Sequence, residues 1–284
     1  MIDRLIQSWQ LVKASWGVLL ADKELLIFPI LSSIAVFLLT IAFFVPFAMA
    51  GAFQQLLLGQ LTSQPWLTWL MMFLFYLSQY FILIFSNSAL VAAAGIRLEG
   101  GNPTVGDGFR LAFRRIGSIA GYAVVAATVG LVLKAISRNR NALGRLTAAL
   151  LGVAWNIATF LVVPALVNEG IGPWAAIKRS ASMLRQTWGE QIIGNLSIST
   201  IIGLAGLGVS ILVLVPTGYL AAKVNVAFLI GGLLLLVPVF LLLGLLNTTL
   251  SGIYQAAVYS YATTGEAGTF FPPDLVQRAF RQGA

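Results

Sequence analysis

The chain has no cysteine and no histidine, and only 9% of its 284 residues are charged. Without cysteine there are no disulfides, thiolate ligands or thiol nucleophiles. Without histidine there is no imidazole metal ligand, no histidine base and no side chain whose ordinary titration falls near neutral pH. Soluble domains carry about a quarter charged residues, so this scarcity excludes an ordinary water-soluble domain. Also missing are a Walker loop, a dinucleotide fingerprint, a G-x-S-x-G elbow and an H-E-x-x-H pair. Enzymatic chemistry therefore has no motif behind it, and no cofactor or metal is expected.

Apolar length is what the chain has in abundance: 59% of residues are hydrophobic, with a mean hydropathy of +0.92. A helix needs about 20 residues to cross a bilayer, and six runs meet that length, over 25–50, 66–95, 116–133, 146–168, 191–215 and 226–262. The expected fold is an all-α polytopic membrane protein with six transmembrane helices. The second and sixth runs exceed a simple crossing and are expected to tilt or to project beyond it. Ala48-Met49-Ala50 has the small-x-small look of a cleavage site. The apolar stretch before it is too long for a signal peptide, so the first run is read as a retained span.

Seventeen lysines and arginines against nine acidic residues give a net charge of +8, and the placement of the basic residues sets the expected sidedness. Twelve fall on one side, in the N-terminal segment (Arg4, Lys13, Lys23), the second loop (Arg97, Arg110, Arg114, Arg115), the fourth loop (Lys178, Arg179, Arg185) and the tail (Arg278, Arg281). Five fall on the other: Lys134, Arg138, Arg140 and Arg145 in the third loop and Lys223 in the fifth. Both termini are expected to be cytoplasmic, in a cell membrane. The third loop opposes the trend. It reads as a solvated basic loop, an outward anion site, or a sign that the third and fourth runs do not fully cross.

Internal similarity organises the chain further. Glu99-Gly100-x-x-Pro103 recurs 70 residues later as Glu169-Gly170-x-x-Pro173, and Gly265-Glu266 followed by Pro272 and Pro273 is a looser echo. A second pair links the segment from Ser8 to Gly17 with that from Ser180 to Gly189. The unit so defined is a short amphipathic helix followed by a helical hairpin. It divides a single membrane domain into a helix over 1–24, a hairpin over 25–98, helix plus hairpin over 99–168 and again over 169–262, and a tail over 263–284.

The short helices carry apolar stripes at helical spacing. Leu5, Trp9, Val12, Trp16 and Leu19 form one, and Trp174, Ile177, Ala181, Leu184 and Trp188 another, with Lys178, Ser182 and Arg185 on the wet side. Val105, Phe109, Ala112 and Ile116 form a weaker third, interrupted by Gly106 and Gly108. Such helices either lie in the membrane interface, which tryptophan and basic residues favour, or pack on their own bundle. Pro103 and Pro173 suit first helical turns, and Glu99 and Glu169 suit positive helix ends. A ring of Glu99, Glu169 and Glu266 around a cation is the functional alternative.

The stretch from Ser8 to Trp16, Asp22-Lys23-Glu24-Leu25 and Phe28-Pro29 resemble an uncharacterised family of prokaryotic six-span membrane proteins, known only as a domain of unknown function. Ala158 to Pro164, Glu169-Gly170-x-x-Pro173, Lys178-Arg179-Ser180 and Trp188-Gly189-Glu190 carry the same resemblance. The Pro164 to Ser180 stretch is also distantly similar to the membrane domain attached to some glycerophosphodiester phosphodiesterases. The hydrolase's histidine and carboxylate metal site is missing here, so the resemblance implies an architecture and no reaction.

No charged residue sits in the middle of a span, which argues against a proton-coupled pump. The spans hold neutral polar groups instead, among them Asn87, Asn156, Asn195 and Asn247. These four define a candidate polar path; the competing reading is that they join helices by hydrogen bonds. The expected function is non-enzymatic: binding of phospholipid, chiefly anionic, through Trp9, Lys13, Trp16, Arg114, Arg115, Lys178, Arg179, Arg185 and Trp188. The alternative is a facilitative transporter or channel for a small polar solute or lipid headgroup. No nucleic-acid partner is expected.

Overall fold

The structure, a computed structural model, describes residues 2–49, 65–137, 142–188 and 197–271. Among them every regular element is helical: α1 (Ile2–Ala21), the 3-10 turn η1 (Lys23–Leu26), α2 (Ile27–Met49), α3 (Pro65–Leu98), α4 (Val105–Arg114) and α5 (Ile116–Ser137). There follow α6 (Ala142–Ala158), α7 (Val162–Glu169), α8 (Pro173–Trp188), α9 (Ser197–Lys223) and α10 (Ala227–Thr264). Six stretches are long and apolar enough to cross a membrane: Lys23–Val45, Leu70–Leu98, Ile116–Ser137, Gly144–Glu169, Ile198–Lys223 and Ala227–Thr264. Each coincides with one of the six expected runs. In chain order, α1, α4 and α8 precede the first, third and fifth.

The chain divides into two compact units, Met1–Leu26, Ala94–Asn102 and Thr187–Ala284 in the first, Ile27–Ala93 and Pro103–Gln186 in the second. In the first unit α1 packs along α9 and α10. It does so with Leu11, Val12, Ser15, Val18 and Leu19, all buried. The helix α10 has two halves. Its early residues, including Phe228, Leu234 and Leu241, are exposed, whereas Thr249, Leu250, Ile253 and Tyr254 through Tyr259 are largely buried by protein. At 1.5 Å per residue its 38 residues run about 57 Å, nearly twice a hydrocarbon core of about 30 Å. Gly265, with φ of 80°, ends it in the left-handed conformation that glycine adopts freely. Beyond it, a side chain on Gly268 would strike the Leu98 carbonyl oxygen at 2.6 Å. That close approach lets the chain tuck Phe271 into the core at 1% exposure, a burial worth about 1.5–3 kcal/mol.

The fifth span outruns its expected end. Pro216 lies inside α9, and only residues 224–226 connect α9 to α10. Asn225 Oδ1 accepts the Ala227 amide at 2.9 Å and so closes this short turn. Gly206 meets Phe240 and Leu243, and Gly232 meets Thr217, bringing the two helices together at small residues.

In the second unit α3 and α5 meet along one seam. Tyr80 Oη rests against Gly130, where a Cβ would lie 2.7 Å from it. One turn away Lys134 Nζ donates to Tyr76 Oη, 4.9 Å from the centre of the same ring. The helix α4 docks through Gly108, which sits so close to the Ala89 carbonyl and the Phe28 ring that a Cβ would lie 2.6 Å from each. Phe28, Phe85 and Phe113 surround it with ring contacts, Phe28 to Phe109 at 5.2 Å and Phe85 to Phe113 at 4.8 Å. The glycine taken as an interruption of the α4 stripe is its point of closest approach.

The fourth span is broken. In an unbroken helix the ring of Pro164 would clash with the Phe160 carbonyl and leave it without a donor. The helix gives way over Thr159, Phe160 and Leu161 instead, with Phe160 N–H taking the Ile157 carbonyl at 3.2 Å in a tighter turn.

Candidate functional site

The short helices do not bury the stripes that the spacing suggests. On α1 the stripe splits: Val12 and Leu19 face the bundle, whereas Trp9 and Trp16 are 49% and 40% exposed. Lys13 Nζ lies 5.8 Å from the centre of the Trp9 ring, within cation–π reach. On α8 the buried residues are Ala176, Ser180, Met183 and Leu184. Trp174 is 63% exposed and Lys178 and Arg179 are exposed with it. On α4 the exposed face holds Arg110, Phe113 and Arg114. Each helix is thus packed on protein by one face, while aromatic and basic groups are exposed on another. The side chains of Leu5, Arg185 and Trp188, and the loop residues Arg138 and Arg140, lie outside the described ones, as do the tail prolines and arginines.

Two of the arginines are occupied internally. Arg115 is half-buried; its Nε donates to the Val167 carbonyl at 3.4 Å and its guanidinium covers Gly170, where a Cβ would come within 2.3 Å. Arg179 Nε donates to Glu169 Oε1 at 2.9 Å. Both cations therefore gather at the C-terminal end of α7, where the helix dipole favours them. Glu169 thus pairs with a cation of α8. Glu99 is not the cap of α4. The N-terminus of α4 is closed by Thr104, whose hydroxyl accepts the Asp107 amide while the Asp107 carboxylate accepts the Thr104 amide. This reciprocal cap holds the exposed Asp107 carboxyl below its ordinary value, chiefly through the Thr104 side-chain and backbone hydrogen bonds. Pro103 stands just ahead of the cap, whereas Pro173 opens α8 as expected. No group of three or more carboxylates that could hold a metal ion occurs among the described residues.

The junction of α1 and the first span holds a buried acid in the first unit. Asp22 is 7% exposed and accepts the Glu24 amide at Oδ1, 3.2 Å away. Burial pushes its carboxyl up, against the Glu24 amide and the Arg97 charge, which pull it down. Arg97 ties the segment together, donating to the carbonyls of Ala21 and Gly101 and to Asn102 Oδ1. Asp22 Oδ2 and Arg97 Nε are buried and have no partner among the described residues.

The candidate polar residues fall in both units. Asn87 on α3 is half-buried and Asn156 on α6 is exposed, both in the second unit. Asn247 on α10, in the first, keeps a buried Oδ1 without a partner among the described residues. Asn195 lies outside them. Most hydroxyls in the spans satisfy themselves on their own helix, as Thr128, Thr159, Ser210, Thr217 and Thr249 do with carbonyls four residues back. Gln79, which donates to Thr40 Oγ1 at 3.0 Å, does join two helices. Sequence reading named Asp22, Arg97 and Ser180 without these contacts, and missed the Thr104 cap. Only the cap had a local signature, Thr104-x-x-Asp107.

A family described only as being of unknown function, DUF6159, matches residues 67–270. No curated protein and no solved structure matches the chain. The distant likeness to the phosphodiesterase membrane domain has no match behind it.

Proposed function

The chain belongs to DUF6159, a family of unknown function, and from that premise we propose that it is a non-enzymatic membrane protein that holds anionic phospholipid at one membrane face through its short basic helices. The observation carrying this reading is the pairing of exposed tryptophan with exposed lysine one turn away: Trp9 with Lys13 on α1 and Trp174 with Lys178 on α8. Indole prefers headgroup depth, and each basic side chain near an anionic leaflet adds about 1 kcal/mol of attraction. Arg110 and Arg114 offer the same on α4. Three helix-plus-hairpin modules, with both chain ends at the cytoplasmic face of the cell membrane, would put all these groups on the leaflet that the charge count favours.

The test is retention of phosphatidylglycerol by the full chain in mixed vesicles. Changing Lys13, Arg114 and Lys178 together to glutamine leaves Arg115, Arg179 and their internal contacts in place. Retention is expected to fall by on the order of tenfold or more from three lost attractions; unchanged retention overturns the reading.

A facilitative path for a small polar solute is the second reading. It draws on the broken fourth span and on the unpartnered Asn247 Oδ1, since irregular backbone at membrane depth accompanies transport sites. Flux into liposomes that is lost with Asn247→Leu and Asn87→Leu, lipid retention being unaffected, selects it over the first.

A further inference from the structure

We infer that Ser180 is a lock on the break in the fourth span, and that through it α8 controls whether that span is broken or continuous. In an unbroken helix the Leu161 amide would donate to the Ile157 carbonyl. That carbonyl is taken by Phe160, and Leu161 N–H turns outward to Ser180 Oγ at 3.0 Å. Both residues are 0% exposed, so water cannot substitute for the hydroxyl. On the far side of the break, Ala165 N–H returns to the Leu161 carbonyl and regular helix resumes. Thr159 Oγ1 donates to the Trp155 carbonyl and shares a hydrogen bond with Tyr122 of α5, which fixes the other edge.

Without Ser180 the amide must turn back to a carbonyl of its own helix, and the α-helical choice is that of Ile157, reached by straightening the chain against the Pro164 ring. The segment therefore has two arrangements, broken with the serine engaged and kinked but continuous with it withdrawn. Ser180 is carried on the packed face of α8, two residues from the exposed Lys178 and six from the exposed Trp174. The helix is anchored at its start, where Pro173 fills the space over Gly121. A force on its exposed face moves the serine about that anchor, and a hydrogen bond tolerates only a few tenths of an ångström of stretch. The ligand that supplies the force is anionic lipid, a step that rests on the reading of the short helices above.

The experiment measures amide exchange by mass spectrometry over residues 155–163 and 174–184, with the full chain in nanodiscs of phosphatidylcholine with and without phosphatidylglycerol. Ser180→Ala is expected to speed exchange over 155–163 about tenfold by leaving a buried donor unpaired. Ser180→Thr, which keeps the hydroxyl, is expected to hold it near the parent value. If Ser180→Ala yields no folded protein, Ser180→Cys, a weaker acceptor of similar size, replaces it. Equal exchange in the parent and the hydroxyl-free variant overturns the lock. In the parent, phosphatidylglycerol is expected to change exchange over both segments together, and in Ser180→Ala over 174–184 alone. A response confined to 174–184 in the parent overturns the coupling and leaves the lipid reading standing. No response at 174–184 overturns the lipid reading, and the alanine and threonine variants then decide the lock by themselves.

Discussion

Arg97 Nη2 lies 3.3 Å from the carbonyl oxygen of Ala21, so the end of α3 holds the last residue of α1. One residue further, Asp22 is buried with an oxygen that nothing satisfies among the described residues. Its carboxyl titrates above the ordinary 3.8 because of burial. Between that value and its raised one the folded state keeps a proton the unfolded chain has released, so stability falls as pH rises through this window and levels off above it. Asp22→Asn should flatten the curve while keeping the acceptor for the Glu24 amide. Thermal unfolding in detergent from about pH 3.5 to about pH 7 checks this; parallel curves for parent and variant would show that Asp22 is not its source.

The cap on α4 carries the opposite sign. Asp107 titrates below its ordinary value because of the Thr104 hydrogen bonds. The stabilisation it brings is complete above the ordinary carboxylate pKa and disappears as pH falls through the lowered one. Thr104→Ala is expected to lower stability at neutral pH and by a smaller amount in acid, where only the amide-to-hydroxyl half of the cap is left to lose. The comparison is of unfolding midpoints for parent and variant at the two pH values, and an equal deficit at both contradicts it.

Gly106 and Gly108 stand on one helix and should respond oppositely. A methyl group on Gly108 meets the Ala89 carbonyl and the Phe28 ring at 2.6 Å, so Gly108→Ala should destabilise by about 1–3 kcal/mol. A methyl on Gly106 meets only Thr104 Oγ1 at an ordinary 3.6 Å, and Gly106→Ala should gain up to about 1 kcal/mol in helix propensity. Unfolding midpoints of the two variants moving in the same direction would refute the docking of α4.

Tryptophan depth separates interface from interior. In single-tryptophan variants, Trp16 should be quenched most by lipids brominated near the headgroup. Trp155, half-buried within the fourth span, should respond most to bromine deeper in the acyl chain. A Trp16 signal insensitive to both labels removes the support for an interfacial α1.

The six spans were readable because apolar length alone identifies them, and Leu25 through Val45 or Val226 through Leu246 could hardly belong to anything else. The short helices were readable as helices but not by face. Trp9 and Trp16 share spacing with Val12 and Leu19, and periodicity cannot tell a side chain that prefers lipid from one that prefers protein. Gly108 looked like a weakness because sequence records its missing side chain and not the Phe28 ring that fills the gap. The break near Pro164 depends on a contact between Leu161 and Ser180, 19 residues apart, that no local pattern encodes. The fifth run passes its expected end because a proline in α9 interrupts one hydrogen bond and leaves the rest of the 27-residue helix to carry on.

The turn at residues 224–226 also bears on how the protein is made. With three residues between α9 and α10, neither helix can settle in a bilayer on its own while the other waits in water. A pair so closely joined is expected to enter lipid as one hairpin, with Lys223 and Asn225 as the polar groups at its turn. Lengthening that turn would uncouple the two insertions and turn one biogenesis event into two.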